Sequence, residues 1–459
     1  MTPRILPPPS FDARVQTLIV GAGAAGLVAA LAATEAGQEV LVLERDAVPS
    51  GSTALSAGLI PAAGTRFQRA AGIDDTSDLF AADIQRKAHG ENDPASVAQM
   101  TRAAAPVIEW LADRHGLAFS LVHDFDYPGH SRRRMHGLPS RSGRALIDAL
   151  RSAAERAGVD ILTEARVDTL FADAGRIHGV GLIRPDASRD QIGCDRLILA
   201  CNGFGGNKAM VAQHMPQIAG ALYFGHPGNT GEALDWGEAL GAEIRHPGAY
   251  QGHGNVAHPH GILITWAVIT EGGCQVNLSG ERFWNEAQGY SEAARAVQGQ
   301  SEGQAIAVFD ERIAAIARQF ADFRDAEAQG AVRRAETPAE LADAFGLPAD
   351  ALAKTLDAFE AAKHGRGVDP CGRALAGAAP LVPPYLGARV TAALFHTQGG
   401  LAVDESARVR RKGGGVFDTL FAAGGAACGV SGTADSGYLS GNGLLAAVTL
   451  GRIAGQHRL

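Results

Sequence analysis

The chain has 459 residues, 46% of them hydrophobic, which is enough for a sizeable core and two or three average domains. Its formal net charge of −8 leaves no basic stripe, which argues against a nucleic-acid partner. We interpret the basic run Arg132–Arg134 as solvated surface. The five cysteines have no paired short spacing, which fits reduced thiols in a cytoplasm; the pattern excludes neither a metal site nor a reactive thiol, but neither is expected.

The start of the chain, MTPRILPPPSFDARVQ, lacks the positive charge followed by an apolar stretch that is typical of a secretory signal. We therefore expect a cytoplasmic protein. The apolar run 18–33 is interrupted by Gly21, Gly23 and Gly26, so it predicts a strand, a turn and a helix rather than a membrane span.

The stretch TLIVGAGAAGLVAALAATEAGQEVLVLER predicts a strand, a glycine turn, an alanine-rich helix and a second strand that ends at Glu44. In such a turn the first glycine permits the bend, the second lets a pyrophosphate approach, and the third lets helix and strand pack closely. The helix amino terminus then offers free N–H groups to the phosphates. Glu44 lies where a carboxylate can accept hydrogen bonds from an adenosine ribose. The pattern predicts a dinucleotide site.

Three later segments also place glycines and small polar residues after apolar residues. They are RDAVPSGSTALSAGLIPAAGT, CDRLILACNGFGGNKAM and DTLFAAGGAACGVSG. Turns of this kind bring several strand ends to one extended ligand at the carboxyl edge of a parallel sheet. We expect all three to meet at the dinucleotide.

In this order the segments resemble the fumarate reductase and succinate dehydrogenase flavoprotein family, which includes soluble ketosteroid dehydrogenases. The resemblance runs from Val15 to Gly455 and also rests on GNTGEALDWGEALGA, GERFWNE, HTQGGLAVD and YLSGNGLLAAVTLGRIAG. It implies an α/β fold, with a doubly wound Rossmann-type FAD-binding domain and an inserted, mobile α+β capping domain. We place the FAD-binding domain at 1–245 and 375–459, and the capping domain at 246–374, where the sequence is largely helical in period.

The resemblance also implies which residues hold FAD without a covalent bond. They are Gly21, Gly23, Ala24, Ala25, Gly26, Glu44, Arg45, Gly51, Ser52, Thr53, Ser56, Ala57, Gly58, Val167, Ala200, Cys201, Asn202, Gly203, Asn229, Gly424, Ser440, Gly441, Asn442, Gly443 and Leu444. The chain departs from the family pattern at two of the turns. Gly425 stands where the family commonly has a glutamate for the ribityl hydroxyls, and Cys201-Asn202 replaces a threonine and a glycine.

The substrate side departs further from the dicarboxylate reductases. Those enzymes clamp both carboxylates with cationic groups, and arginine suits this task because its planar fork donates two parallel hydrogen bonds. In the dicarboxylate reductases one arginine delivers a proton to the substrate carbon, and its position in this chain falls near Ile269 or Thr270. A second arginine clamps a carboxylate, and its position falls near Tyr438. Fumarate and succinate are therefore not the expected substrates.

The candidate catalytic residues are Tyr438, His396 and Ser440. His396 matches the substrate-facing histidine of the family, and the alternative is a hydrogen-bonded histidine at a strand end. Tyr438 and Ser440 resemble the pair of ketosteroid Δ4-dehydrogenases, so Tyr438 is expected to donate to a carbonyl or to transfer a proton. The alternatives are that Tyr438 packs against the flavin and that Ser440 caps the last helix.

Other polar and aromatic residues carry weaker hypotheses. Trp266 and Tyr290 could stack on a hydrophobic substrate or belong to the core, and Arg282 with Glu286 is expected to hold the capping domain together. A third group, His253, His258 and His260, could bind a metal but lacks a completing ligand.

The sequence therefore predicts an FAD-dependent dehydrogenase or reductase of a carbon–carbon bond α,β to a carbonyl, in which a hydride moves between a substrate carbon and flavin N5. The expected substrate is ketone-like rather than a four-carbon dicarboxylate. The enzyme's expected partners are a small-molecule substrate and an external electron acceptor, because the chain has neither a haem motif nor iron–sulfur cysteine spacing. One alternative is a carboxylate substrate held by Arg245 or Arg389. Another is a flavoprotein electron carrier without substrate chemistry.

Overall fold

The structure is a computed structural model, and it describes residues 4–11, 13–123 and 125–458. Its strands are β1 (Arg4–Leu6), β2 (Ala13–Val20), β3 (Val40–Leu43), β4 (Ile60–Pro61), β5 (Ser120–Leu121), β6 (Met135–Gly137), β7 (Asp160–Leu162), β8 (Arg166–Asp173), β9 (Arg176–Ile183), β10 (Arg189–Leu199), β11 (Leu222–Tyr223), β12 (Ile244–Arg245), β13 (Tyr250–Ala257), β14 (Ile262–Leu263), β15 (Cys274–Val276), β16 (Gln304–Asp310), β17 (Val332–Ala335), β18 (Tyr385–Thr397), β19 (Gly400–Leu401), β20 (Arg408–Arg410) and β21 (Val416–Ala422).

The α-helices are α1 (Ala24–Glu35), α2 (Gly51–Ala54), α3 (Arg66–Ala70), α4 (Ser77–Lys87), α5 (Pro94–His115), α6 (Gly143–Arg156), α7 (Lys208–His214), α8 (Glu232–Leu240), α9 (Ala267–Thr270), α10 (Tyr290–Gln298), α11 (Glu311–Ala317), α12 (Ala321–Ala328), α13 (Pro338–Phe345), α14 (Ala349–Lys363) and α15 (Asn442–Gln456). In the part of the chain that the structure describes, none of these helices is long and apolar enough to cross a membrane.

The chain forms two compact units. Unit 1 comprises Met1–His214, Gly225–Tyr250 and His396–Leu459, and unit 2 comprises Met215–Phe224 and Gln251–Phe395. The predicted domain boundaries at 245 and 374 stay predictions, and the compact units change at 250 and 395 instead. The α/β fold class with an inserted α+β unit is confirmed.

The main sheet of unit 1 has a parallel centre. Strands β21, β10, β2, β3 and β7 lie side by side and are parallel to their neighbours. The amino-terminal part of β10 pairs instead with the antiparallel β9, so β10 has a different neighbour along each half. The apolar centre of β2 is buried, as expected for a parallel strand covered on both faces. This arrangement brings the ends of β2, β3, β10 and β21 to one edge of the sheet.

Helices α1 and α15 pack closely in unit 1 because the facing residues are small. A Cβ atom at Gly451 would lie 2.5 Å from the carbonyl oxygen of Ala25, and one at Gly455 would lie 2.3 Å from that of Ala29. Residues 24–33 of α1 are all buried, which is typical of a helix that is apolar on every side. The second half of α15 therefore packs along α1, with Gly451 beside the first turn of α1.

Unit 2 contains a seven-stranded sheet and several helices. Its strand order is β14-β13-β18-β16-β15, and β11 and β17 also pair with β18. The helical pattern that we identified in this part of the sequence corresponds to α11–α14, but β17 interrupts it. Strand β17 was not predicted, because VRRA has only one buried residue and hence no apolar run.

The interpretation of the basic run Arg132–Arg134 as solvated surface is wrong for Arg134. Arg132 and Arg133 are exposed, but the side chain of Arg134 is completely buried and pairs with Asp75 and Asp83. A local charge pattern could not reveal this, because both carboxylates come from residues more than 50 positions earlier in the chain.

Candidate active site

The glycine turn after β2 is shaped by contacts with backbone. Gly21 has φ +105°, and a Cβ atom there would lie 2.5 Å from the carbonyl oxygen of Ala200. A Cβ atom at Gly26 would lie 1.8 Å from the carbonyl oxygen of Gly21. At Gly23 the nearest protein atom would be Thr53 Oγ1 at 3.7 Å, an ordinary van der Waals distance, so the protein does not crowd this position. The turn therefore leaves room for a pyrophosphate at the amino end of α1, which fits FAD.

Glu44 is fixed at the end of β3 by backbone groups. Its Oε2 accepts a hydrogen bond from Ala22 N–H at 2.8 Å, and its Oε1 accepts one from Asp46 N–H at 3.0 Å. Its carbonyl oxygen accepts from Ala165 N–H at 2.8 Å, two residues before Val167. A carboxylate has about four acceptor sites, so two bonds leave capacity for ribose hydroxyls. This geometry is compatible with the ribose role that the sequence predicts.

Ser52 joins three of the predicted segments. It lies in α2, and its hydroxyl oxygen accepts hydrogen bonds from the side-chain amides of Asn202 at 3.0 Å and Asn229 at 2.9 Å. Arg45 reaches the same loop and donates to the Gly228 carbonyl at 2.5 Å. The loops after β3 and β10 and the loop before α8 therefore meet, as the sequence predicted for turns around one ligand.

The segment after Ser52 is held by α6. Thr53 is buried, and its hydroxyl accepts from Ala24 N–H at 3.1 Å, which links α2 to α1. Ser56 donates to the Thr53 carbonyl at 2.7 Å, and its own carbonyl accepts from Gly143 N–H at 2.8 Å. Gly58 has φ +67°, and Gly51 and Ala57 lie in the same segment. The segment is thus an ordered part of the site rather than a solvated loop.

The two departures from the family pattern occupy one place in the structure. A Cβ atom at Gly425 would lie 2.0 Å from Oδ1 of Asn202, so the asparagine side chain fills the space beside the glycine. The same Oδ1 accepts from Gly203 N–H at 2.9 Å. Next to Gly425, Gly424 would meet Cβ of Ala25 at 3.0 Å if it carried a side chain. The two positions that depart from the family pattern are therefore in direct contact.

Cys201 precedes this asparagine and is not a reactive thiol. Burial raises the pKa of the Cys201 side chain to about 12, so the thiol stays protonated at neutral pH. A nucleophilic role for Cys201 is not supported.

The last helix begins at the residues that the sequence singled out. Gly441 precedes α15 with φ +89° and provides no side-chain cap, so Ser440 is not the capping residue. The side chain of Tyr438 is buried. Burial raises the pKa of its phenol to about 12, although the backbone N–H groups of Gly441 and Gly443 act to lower it. The phenol is therefore protonated at neutral pH and lies at the positive end of the helix.

His396 lies beside the same helix start. A Cβ atom at Gly443 would lie 3.8 Å from Cε1 of His396. Burial lowers the pKa of His396 to about 4, although a bond with the Thr397 backbone acts to raise it, so the imidazole is neutral. Tyr438 and His396 therefore converge on the first turn of α15.

A chain of buried side chains runs from His396 to α15. Gln398 Nε2 lies 2.7 Å from Nδ1 of His396, Ser431 donates to Gln398 Oε1 at 2.9 Å, and Asn442 Nδ2 donates to Ser431 at 2.9 Å. In the described part of the chain, Oδ1 of Asn442 is a buried atom without a hydrogen-bond partner, which fits a ligand that donates there. Leu444, which the sequence also predicts to contact FAD, is half-buried.

The candidate substrate residues of unit 2 form an aromatic cluster. The imidazole of His253 stacks on Tyr290 at 5.0 Å and on Phe395 at 5.3 Å, and it meets Trp266 edge-on at 5.8 Å. Burial lowers the pKa of His253 to about 3, so this ring is neutral. The sequence suggested His253 only as a metal ligand, because the aromatic partners come from separate segments.

The other groups have structural partners. Arg282 donates to both carboxylate oxygens of Glu286, at 2.9 and 2.6 Å, as the sequence predicted for a structural pair. His258 and His260 are exposed whereas His253 is buried, and within the described ranges no three potential ligand side chains gather as a metal site. Ile269 and Thr270 belong to α9.

Comparison with known proteins agrees with this geometry. Residues 16–444 match the family model of the FAD binding domain. The chain is 28% identical over 449 residues to the NADH:fumarate oxidoreductase of Klebsiella pneumoniae, covering 98% of this chain and 47% of that protein. It is 30% identical to the probable fumarate reductase Ifc3 of Shewanella frigidimarina, covering 96% and 74%.

A solved structure also matches over its whole length. The 3-ketosteroid-Δ4-(5α)-dehydrogenase of Rhodococcus jostii RHA1, in complex with 4-androstene-3,17-dione, is 25% identical with a TM-score of 0.79, and the match covers 99% of both chains. The predicted cofactor, FAD, is thereby confirmed. The chain belongs to the fumarate reductase and succinate dehydrogenase flavoprotein family of FAD-dependent oxidoreductases, which act on CH–CH groups.

Proposed function

We propose that this chain is a dehydrogenase or reductase of a carbon–carbon bond α,β to a carbonyl, with a ketone-like substrate. The observation that carries the proposal is that the phenol of Tyr438 and the neutral imidazole of His396 both lie at the first turn of α15. Both side chains can donate a hydrogen bond to an uncharged carbonyl. Neither offers the permanent positive charge that a dicarboxylate needs.

Tyr438 is the proposed proton-transfer residue. Because burial raises its pKa to about 12, the phenol holds its proton at neutral pH and can give it to the α-carbon during reduction. The phenolate that remains is stabilised by the N–H groups of Gly441 and Gly443. In dehydrogenation the phenol must first give up its proton, and the phenolate oxygen then receives the α-proton. Bound FAD supplies the hydride acceptor or donor for the β-carbon.

His396 is the proposed second donor to the substrate carbonyl. Its pKa of about 4 keeps it neutral at physiological pH, so it can polarise a carbonyl without attracting a carboxylate as a cation would. Ser440 is proposed to assist Tyr438 from the same loop. Its backbone carbonyl accepts a hydrogen bond from His130 at 3.0 Å.

The carboxylate alternative has less support because its cations already have partners. Arg245 donates to Glu243 at 2.7 Å and lies 3.6 Å from Asp93. Arg389 donates to the Phe345 carbonyl at 2.6 Å and to Gln304 at 3.2 Å. A substrate carboxylate would have to displace these partners, which costs hydrogen bonds to charged groups.

The similar proteins point to both substrate classes. Two of them are named for fumarate, and the Rhodococcus dehydrogenase is in complex with a steroid diketone. Identity near 30% does not separate these classes, so the residues at the start of α15 decide our choice.

We also propose that FAD is held non-covalently, because the residues that cradle it offer backbone N–H groups, hydroxyls and amides.

The test is an anaerobic reduction of the bound flavin. We expect saturated ketones, from small cyclic ketones to steroids, to bleach the flavin absorbance, and Tyr438→Phe to slow bleaching about 100-fold or more. Arg245→Ala and Arg389→Ala should leave the rate unchanged. Rapid bleaching by succinate that either arginine variant abolishes would overturn the ketone assignment, and reduction by a protein donor alone would indicate an electron carrier.

A further inference from the structure

A segment distant in sequence lies against the loop that carries Tyr438 and Ser440. A Cβ atom at Gly129 would lie 2.7 Å from Cδ1 of Leu439, and one at Gly441 would lie 3.4 Å from Cε of Met135. Between these contacts, Nε2 of His130 lies 3.0 Å from the carbonyl oxygen of Ser440. The loop before α15 is therefore held by residues 129–135 of unit 1.

The proton positions in this contact are determined by the partners. The Ser440 carbonyl can only accept a hydrogen bond, so Nε2 of His130 must carry the proton. On the other side of the ring, Nδ1 lies 3.4 Å from Nη1 of Arg134, which can only donate. Burial lowers the pKa of His130 to about 4, so the ring is neutral. One tautomer satisfies both contacts.

Arg134 is itself fixed in a buried ion network. It donates to both oxygens of Asp75 at 2.9 Å and to Asp83 at 2.6 Å, and all three side chains are fully buried. Asp83 also accepts from the backbone and hydroxyl of Ser131, each at 2.8 Å, next to His130. The side chains next to His130 are therefore held in place, because the buried charges of Arg134, Asp75 and Asp83 are hydrogen-bonded to one another.

We propose that His130 is a positioning residue that aims the Ser440–Gly441 peptide at Tyr438. In a trans peptide the C=O and N–H bonds point in opposite directions. When His130 holds the Ser440 carbonyl, the Gly441 N–H is directed to the other side of the peptide, and it acts to lower the pKa of Tyr438. This inference rests on the proposed role of Tyr438 and assigns the stabilisation of its phenolate to a histidine about 310 residues away in the chain.

The consequence is a lower proton affinity of Tyr438 than burial alone would give. A hydrogen bond to a charged oxygen corresponds to about one to two pH units. The charged groups that face His130 are Arg134, Asp75 and Asp83, which pair with one another, and Arg86, which pairs with Asp83 and donates to the Gly129 carbonyl at 3.2 Å. A change in the pKa of Tyr438 would therefore report on the orientation of the Ser440–Gly441 peptide.

The experiment places 3,5-difluorotyrosine at position 438 of the FAD-loaded protein and follows its ionisation by ¹⁹F NMR. The fluorinated phenol is more acidic, so it titrates where the protein is stable. We expect His130→Phe to raise its apparent pKa by about one to two units. His130→Gln keeps a donor that can reach the Ser440 carbonyl and should restore the original value.

The control is His136→Gln. His136 is buried in the same segment, but its ring contacts Thr65 at 2.8 Å and the Arg134 carbonyl at 2.9 Å rather than the loop. An unchanged pKa in a folded, FAD-loaded His130→Phe variant would overturn the inference, and so would an equal rise in His136→Gln.

If the His130→Phe variant does not fold, a second measurement on the wild-type protein tests the inference. Selective ¹⁵N labelling of histidine in the wild-type protein should show His130 as the Nε2–H tautomer between pH 6 and pH 8, and an Nδ1–H signal would overturn the inference. Neither measurement uses a substrate, so both remain decisive if Tyr438→Phe shows that the ketone assignment is wrong.

Discussion

The two ends of the proposed FAD site in unit 1 are built from different parts. At the nucleotide end, Gly21, Gly23 and Gly26 lie within one turn, and their roles follow from the space around each α-carbon. At the substrate end, His130 holds the loop that carries Tyr438 from about 310 residues away, and Gln398 links its neighbour His396 through Ser431 to Asn442 of α15. The nucleotide end depends on backbone shape, whereas the substrate end depends on hydrogen bonds across the fold.

This difference explains why one end keeps the family pattern and the other departs from it. A backbone turn tolerates few alternatives, since a Cβ atom at Gly26 would overlap a carbonyl oxygen. A side-chain network can change as long as each buried group keeps a partner. The FAD site itself contains one such change, at Gly425 and Asn202, where the amide occupies the space that a side chain at 425 would need.

The largest expected effect separates two glycines of the same turn. Gly26→Ala should prevent folding of the FAD-binding unit, because its Cβ atom would lie 1.8 Å from the Gly21 carbonyl oxygen. Gly23→Ala should fold, since the nearest protein atom is 3.7 Å away, but it should bind FAD at least about tenfold more weakly. Thermal unfolding of the apoprotein and FAD titration measure both effects. Normal FAD affinity in Gly23→Ala would contradict the proposed pyrophosphate position.

An intermediate effect is expected at the coupled pair. Gly425→Ala should destabilise the protein by about 1–3 kcal/mol, because its Cβ atom would lie 2.0 Å from Oδ1 of Asn202. In the Asn202→Gly background the same change should cost less than about 1 kcal/mol, since the clashing side chain is absent. Urea unfolding of the two single variants and the double variant measures the coupling. Additive values would show that the two positions are independent.

The smallest expected effect is the share of a single histidine of unit 1 in the pH dependence of stability. Burial lowers the pKa of His130, His136 and His396 to about 4, whereas the unfolded chain takes up protons near pH 6.5. The unfolded state binds more protons between these values, so stability should fall as the pH decreases from about 6.5 to 4. Each histidine contributes at most about 1.4 kcal/mol per pH unit.

Urea unfolding at pH 7 and pH 5 measures this slope, and His136→Gln should reduce it by one histidine's share. This variant suits the test because His136 contacts neither Tyr438 nor the loop before α15. A stability that does not change over this range would contradict the neutral, buried state of these rings.

The sequence by itself determined the fold class, the FAD cofactor and the segments that surround it. It could do so because turns of the Gly21–Gly26 kind encode backbone shape locally and recur in a fixed order along the chain. It also pointed to Tyr438 and His396, which the structure places at one helix start.

Only the tertiary structure decided how those side chains are held. Arg134 was interpreted as surface, yet it is buried between two aspartates and supports His130 under the Ser440 carbonyl. The reason is physical. A buried ion pair or a histidine tautomer depends on partners that folding brings from far along the chain, and no local pattern of residue types specifies them.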